Sequence, residues 1–376
     1  MAQACPAAVG QSLDEVETPA LLVDLDAYER NLERMAGALE GRAVRLRPHA
    51  KTHKSPEIAL QQMAHGAVGV CCQKVGEAEV LVAGGVPDVM VSNQVVGGSK
   101  IARLAALAGQ ARLAVCVDDG RNVAELSAAA AAVGAAGVTL GVLVEIEVGC
   151  ERCGVAPGEP ARVLAAQVAE SPGLEFVGLQ AYHGNAQHIR TVEERRAAVR
   201  RAADLAAETA ELLARAGLAC PVISGGGTGT LPFDLEAGVL TELQAGSYIF
   251  LDADYARNET AETLPGGGFE HSLFVLTTVM SLPRPGRAVT DAGLKALAFD
   301  SGPPAVWRRE GVRYTGPSDE HGTLEAAKDA SLGYGEKLLL VPGHCDPTVN
   351  LYDWYVGIRG KRVERVWPVA ARGAVA

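Results

Sequence analysis

The chain has 376 residues, of which 48% are hydrophobic and 21% charged. These shares exclude disordered and fibrous classes. Its 34 basic and 45 acidic residues give a net charge of −11 with no long basic run, which argues against nucleic acid or an anionic membrane as a partner and leaves a small molecule. At roughly 150 residues per domain, the length fits two domains, or one large barrel with an appendage. Eight cysteines are too sparse for a disulfide scaffold. Cys71, Cys72 and Cys116 lie in apolar runs where reduced cysteine acts as a small hydrophobe, so a cytoplasmic location is expected. Residues 1–11 show neither a positive segment nor an apolar one, so no secretory signal is read there. The uncharged run 126–144 is nominally long enough to span a bilayer. Its alanines, then Gly134, Gly137 and Gly141, then a β-branched segment predict a helix, a turn and a buried strand instead.

In chain order, 20–25 reads as a strand ahead of a helix opened by Asp26, with Glu29 three positions on. From about residue 43 to 252, short runs rich in Val, Ile and Cys alternate with amphipathic stretches, the pattern of βα units. Strands are predicted at 43–50, 66–72, 88–93, 112–119, 139–148, 175–184, 220–226 and 242–251. Helix starts stand out at Ser55-Pro56-Glu57, a cap followed by proline, and at Thr191-x-x-Glu194, a capping box. Eight such units predict an α/β fold, a (β/α)₈ TIM barrel over 26–258, in preference to a doubly wound sheet. Beyond it, Gly266-Gly267-Gly268 marks a loop, and strand-like segments follow at 272–280, 338–342, 354–358 and 362–368. They predict a second, β-rich domain formed by 1–25 and 259–376.

Reactive residues of such barrels lie at the C-terminal ends of strands. The first barrel strand ends in Arg47-Pro48-His49-Ala50-Lys51-Thr52-His53. If the backbone stays extended, His49, Lys51 and His53 share a face, and Lys51 is a candidate Schiff-base lysine. The seventh strand runs into Ser224-Gly225-Gly226-Gly227-Thr228-Gly229 and the eighth into Gln244-Ala245-Gly246-Ser247-Tyr248. Small residues there expose N–H groups to a bound anion, and two such loops beside one lysine point to pyridoxal phosphate. Tyr182 and His183 end the sixth strand, with His188 one loop further; a histidine at a strand terminus is well placed as a general base. His344 and Asp346, in an extended Pro342-Gly343-His344-Cys345-Asp346-Pro347, would point the same way as a ligand pair suited to Mn²⁺ or Mg²⁺. Cys150 and Cys153, without a second pair, are read as structural.

Jointly, Arg47-Pro48-His49-Ala50-Lys51, Cys71-Cys72-Gln73-Lys74-Val75, Arg152-Cys153-Gly154-Val155, the Gly225–Gly229 loop, Leu243-Gln244-Ala245-Gly246-Ser247-Tyr248, Asp252-Ala253-Asp254-Tyr255 and His344-Cys345-Asp346-Pro347-Thr348 resemble a known family over nearly the whole chain. It is the fold-type III pyridoxal phosphate family of D-threonine aldolase, 3-hydroxy-D-aspartate aldolase and D-serine dehydratase, which shares its barrel with alanine racemase. The resemblance implies that Lys51 carries the cofactor covalently and that Gln73, Tyr182, Gly227, Thr228, Gly246, Ser247 and Tyr255 hold it, chiefly by its phosphate. It implies Arg152 beside the pyridine nitrogen, a divalent metal on His344 and Asp346, and a homodimer. Dehydratases of the family carry His-x-Cys, whereas this chain has His-x-Asp as the aldolases do, which implies C–C cleavage of a D-3-hydroxy amino acid to glycine and an aldehyde. His183 would take the hydroxyl proton. D-Threonine and 3-hydroxy-D-aspartate both remain open as substrate, and Lys295, Arg190 and Arg372 are the candidates for a second substrate carboxylate. The alternatives are a dehydratase, an alanine-racemase-like enzyme without a metal, and a non-catalytic cofactor carrier.

Overall fold

The computed structural model describes residues 4–133, 139–261 and 268–376. After a first strand, β1 (Ala20–Asp24), and helix α1 (Leu25–Leu39), eight parallel strands alternate with seven helices. The strands are β2 (Arg45–Leu46), β3 (Val70–Cys72), β4 (Asp88–Gln94), β5 (Arg112–Val117), β6 (Leu140–Glu145), β7 (Leu174–Ala181), β8 (Val222–Gly225) and β9 (Glu242–Leu243). The helices between and after them are α2 (Pro56–Ala64), α3 (Val75–Ala83), α4 (Gly98–Leu107), α5 (Gly120–Ala132), α6 (Glu159–Glu170), α7 (Val192–Arg215) and α8 (Leu231–Ala237). The strands pair in parallel in the order β2-β9-β8-β7-β6-β5-β4-β3. The two ends of that order meet where the Cys71 N–H donates to the Pro48 carbonyl at 2.9 Å and His49 bridges Cys71, closing the predicted barrel.

Burial on both faces explains the unbroken apolar strands. Outward residues such as Val89, Val115 and Val142 pack under the helices in one large cluster. Inward residues Cys71, Met90, Cys116 and Leu143 form a small layer inside the barrel, and all eight cysteines are free. Ser55 and Thr191 cap α2 and α7 as expected. The start of α1 differs: Asp24, not Asp26, accepts the Ala27 N–H, because the strand ends one residue before the helix begins. Of the 126–144 run, 126–132 is the end of α5 and 140–144 belongs to β6; the expected turn at Gly134 and Gly137 lies outside the described residues, as do Gly266 and Gly267. No described helix is long and apolar enough to cross a membrane.

The remaining strands are β10 (Leu273–Arg284), β11 (Arg287–Thr290), β12 (Ala305–Val306), β13 (Val312–Pro317), β14 (Gly322–Ala326), β15 (Lys337–Val341), β16 (Trp354–Arg359) and β17 (Arg362–Pro368), with a short helix α9 (Cys345–Val349). They form a mixed nine-stranded sheet, β13-β14-β11-β10-β1-β16-β17, with β15 on β10 and β12 on β15. The N-terminal β1 sits in its middle, antiparallel to β10 and parallel to β16. This sheet is anchored at the barrel mouth. Tyr355 donates its hydroxyl to the His53 carbonyl at 2.7 Å, and the Cys345 N–H donates to Asp252 Oδ2 at 3.1 Å. Those two ties set α9, and with it His344 and Asp346, beside the turn that carries Lys51.

Candidate active site

Lys51 sits in a one-turn 3₁₀ helix, Ala50–Thr52, so the extended backbone expected here is corrected. His49 caps the turn by accepting the Lys51 N–H on Nδ1 at 3.3 Å. His53 turns inward: it is fully buried against Gln62, and burial pushes its pKa down to about 4. His49, Lys51 and His53 therefore do not share a face. The Lys51 side chain is 38% exposed with Nζ 4.0 Å from Asp346 Oδ2. Burial alone would lower its pKa, but nearby Tyr182 and Asp346 raise it above that of an ordinary lysine.

Facing this turn are the two small-residue loops. The Thr228 hydroxyl is buried without a hydrogen-bond partner, and so is that of Thr52. A Cβ on Gly246 would lie 2.7 Å from both the His49 carbonyl and Thr52 Oγ1, so only glycine lets the backbone pass. The Ser247 side chain is buried and bonded to Tyr255, whose hydroxyl pKa is raised well above the usual tyrosine value by burial. A cradle of bare backbone with orphaned hydroxyls fits a phosphate, which would satisfy them.

Arg152 rides on a loop held by Glu147, which accepts the N–H groups of Gly149, Cys150 at 2.6 Å and Arg152 at 3.3 Å. Its guanidinium lies 5.8 Å from the centre of the Tyr182 ring and 3.9 Å from Glu145. Gln73 lies 2.8 Å from His49 Nε2, and Ser92 Oγ lies 3.2 Å from the same nitrogen. Burial holds His49 well below the ordinary imidazole pKa, so it is a neutral bridge between the Lys51 and Gln73 loops. A second tie joins them: Lys54 Nζ contacts Glu77 Oε1 at 2.6 Å, and Glu77 also accepts the Gln73 N–H at 2.9 Å.

His344 and Asp346 come together, though not as an extended pair. His344 is the N-cap of α9 and Asp346 lies in its first turn, with His344 Nε2 4.0 Å from Asp346 Oδ1. That carboxylate oxygen is buried with no partner. On the far side of the ring, Nδ1 contacts Asp300 Oδ2 at 2.6 Å, an orientation that leaves Nε2 free. Burial opposes charge on His344, but Asp346 and Asp300 raise its pKa above the ordinary value. Among the described residues, no three His, Cys, Asp or Glu side chains converge into a complete metal cage. An unpaired carboxylate oxygen opposite an oriented imidazole nitrogen fits a cation that keeps open positions.

His183 is placed differently from expectation. Beyond β7, Tyr182 lies by Lys51. The His183 ring packs against Gly149 and lines a small cavity with Ala202 and Asp234, and its charged neighbours are Glu147 and Arg201. His188 lies beside the cradle residue Tyr255, its ring centre 5.6 Å from that of Tyr255 and its Nδ1 2.5 Å from Asp254 Oδ2. The three carboxylate-binding candidates already have partners. Lys295 pairs with Glu320, Arg372 with Asp353 at 2.8 Å, and Arg190 with Asp254 at 2.6 Å. Ser92 and Asp300 escaped sequence reasoning because each acts through a histidine distant in the chain, and Thr52 because only its burial without a partner marks it.

Residues 23–254 match the family described as alanine racemase, N-terminal domain, and residues 272–358 match a putative serine dehydratase domain. The chain is 49% identical over 369 residues to D-threonine aldolase of Arthrobacter sp, covering 98% of this chain and 96% of that one. It is 48% identical over 372 residues to 3-hydroxy-D-aspartate aldolase of Paracoccus denitrificans, covering 98% and 95%. The crystal structure of D-threonine aldolase from Filomicrobium marinum superposes with a TM-score of 0.96 at 53% identity, covering 99% of this chain and 100% of that one. The chain thus belongs to the pyridoxal phosphate family of D-threonine aldolase and 3-hydroxy-D-aspartate aldolase, on the alanine racemase barrel.

Proposed function

We propose that the protein is a carbon–carbon lyase dependent on pyridoxal phosphate and a divalent metal, Mn²⁺ or Mg²⁺, that cleaves a D-3-hydroxy amino acid to glycine and an aldehyde. The observation that carries this reading is the Asp346 carboxylate, with Oδ2 4.0 Å from Lys51 Nζ and the buried, unpartnered Oδ1 4.0 Å from Nε2 of an oriented His344. When bound, pyridoxal phosphate supplies the electron sink for charge left at Cα, and the metal acidifies the substrate hydroxyl. Lys51 holds the cofactor and moves the proton at Cα. Thr228, Gly246, Ser247 and Tyr255 bind the phosphate, while Gly227, whose N–H donates to Thr230, shapes the loop rather than contacting the anion; Arg152 and Tyr182 orient the ring, and Gln73 fixes its edge. His344 and Asp346 hold the metal. The β-hydroxyl proton goes to a histidine at the mouth. Of His183 and His188 we favour His188, whose Nδ1 on Asp254 leaves Nε2 to accept the proton.

The proposed domain division is 26–258 for the barrel and 1–25 with 259–376 for the unit bearing the metal pair. A cytoplasmic homodimer completes the reading.

Glycine release from D-threonine and from 3-hydroxy-D-aspartate, measured with Mn²⁺ and again after EDTA, tests it. Release should need the metal for both, and the ratio of kcat/KM identifies the preferred substrate. Racemisation that survives EDTA, without glycine release, would favour the racemase-like alternative. His188→Ala should lower kcat about 10²-fold or more while leaving bound-cofactor absorbance intact, and His183→Ala should change kcat less. The reverse ranking would return the proton-transfer role to His183.

A further inference from the structure

Behind the glycine-rich loop runs a buried polar chain that no role above uses. Thr230 Oγ1 accepts the Gly227 N–H at 3.2 Å and the Gln187 side-chain amide at 2.8 Å, and donates to Asp234 Oδ2 at 2.6 Å. Gln187 Oε1 accepts the Gly229 N–H at 3.0 Å. The N–H groups on either side of Thr228 are thus both tied back to this chain. The fit is close. A Cβ on Gly226, whose φ is +68°, would fall 2.6 Å from Asp234 Oδ2, and one on Gly227 would fall 2.4 Å from Gln187 Oε1. Gln187 and Thr230 are each 1% exposed and Asp234 is 8% exposed. Asp234 has no cationic partner among the described residues, and burial pushes its pKa up to about 7. Its role here is to accept hydrogen bonds rather than to form a salt bridge. Left unsupported, a run of glycines would have to lose its backbone freedom on binding. A loop clamped during folding has already met that cost, leaving the unpartnered Thr228 hydroxyl fixed for a ligand.

We propose that Gln187, Thr230 and Asp234 are positioning residues that hold the 226–229 loop in the shape that receives the cofactor phosphate. This rests on the cofactor reading above. It predicts an effect confined to the phosphorylated cofactor, because nothing in the clamp touches Lys51 or the ring-binding side chains. The test titrates full-length protein, freed of cofactor, with pyridoxal phosphate and separately with pyridoxal, following bound-cofactor absorbance, with circular dichroism reporting the fold. Thr230→Val, close to isosteric, and Asp234→Ala should each weaken pyridoxal phosphate about tenfold or more, the scale of one buried hydrogen bond, while pyridoxal affinity stays within about twofold. Asp234→Asn keeps the acceptor for Thr230 and should bind pyridoxal phosphate within about threefold of the unaltered protein. If Asp234→Ala fails to fold, Thr230→Val carries the test. Unchanged affinity for both cofactors, or equal loss of both, overturns the clamp. An Asp234→Asn protein as impaired as Asp234→Ala overturns the acceptor role of Asp234. If the unaltered protein binds pyridoxal as tightly as pyridoxal phosphate, the phosphate cradle itself is refuted, and the clamp with it.

Discussion

Lys51→Ala should abolish covalent cofactor attachment and lower glycine release by on the order of 10³-fold, the scale of losing one acid–base group at the reacting carbon. Lys51 is the lysine whose ammonium faces Tyr182, Asp346 and Arg152 together, and its backbone is pinned by the His49 cap. Its side chain is 38% exposed and outside the hydrophobic clusters, so the fold does not depend on it. Intact mass after borohydride reduction reads the result directly. The unaltered protein gains one cofactor and Lys51→Ala gains none, while both unfold at the same temperature without cofactor. A persistent adduct would place the attachment on another amine.

The second large effect belongs to Asp346. Without a cation, its buried Oδ1 has no donor, a desolvation cost of about 1–3 kcal/mol. A bound divalent ion removes that cost and stabilises the folded chain in proportion to saturation, by about 2.7 kcal/mol at a hundred times Kd. Mn²⁺ should therefore raise the melting temperature of the unaltered protein. It should not raise that of Asp346→Ala, whose glycine release should fall by at least about 10²-fold without response to added metal. His344→Ala should behave likewise, since His344 Nε2 is the nitrogen turned towards that oxygen. A metal-induced shift that survives both substitutions would move the cation site elsewhere.

Much of the architecture is legible in the chain because its strands are buried on both faces. Val70-Cys71-Cys72 and Leu140-Gly141-Val142-Leu143-Val144 have no polar face to interrupt the apolar run, so such barrel strands stand out, whereas β2 (Arg45–Leu46) and β9 (Glu242–Leu243) are two residues each and far shorter than the predicted 43–50 and 242–251. In the second sheet, β11 and β13 alternate buried with exposed residues, as in Val312-Arg313-Tyr314-Thr315, and β12 is only two residues long, so their signal is diluted. The site shows the same division. Glycines and the lysine announce themselves as residue types, but which way a side chain faces depends on backbone geometry. Counting alternate positions fails at Lys51, where the chain coils into a 3₁₀ turn, and at His344, where a helix begins. Beyond the end of β7 it is Tyr182 that lies by the lysine. The clamp of Gln187, Thr230 and Asp234 joins residues from two loops and a helix, and no spacing rule connects them.

The most direct test of the lyase reading is the product balance from a D-3-hydroxy amino acid supplied with Mn²⁺. Glycine and aldehyde in equal amounts, without free ammonia, are the predicted outcome. Ammonia with an equal amount of oxo acid, and no glycine, would contradict it and identify a dehydratase.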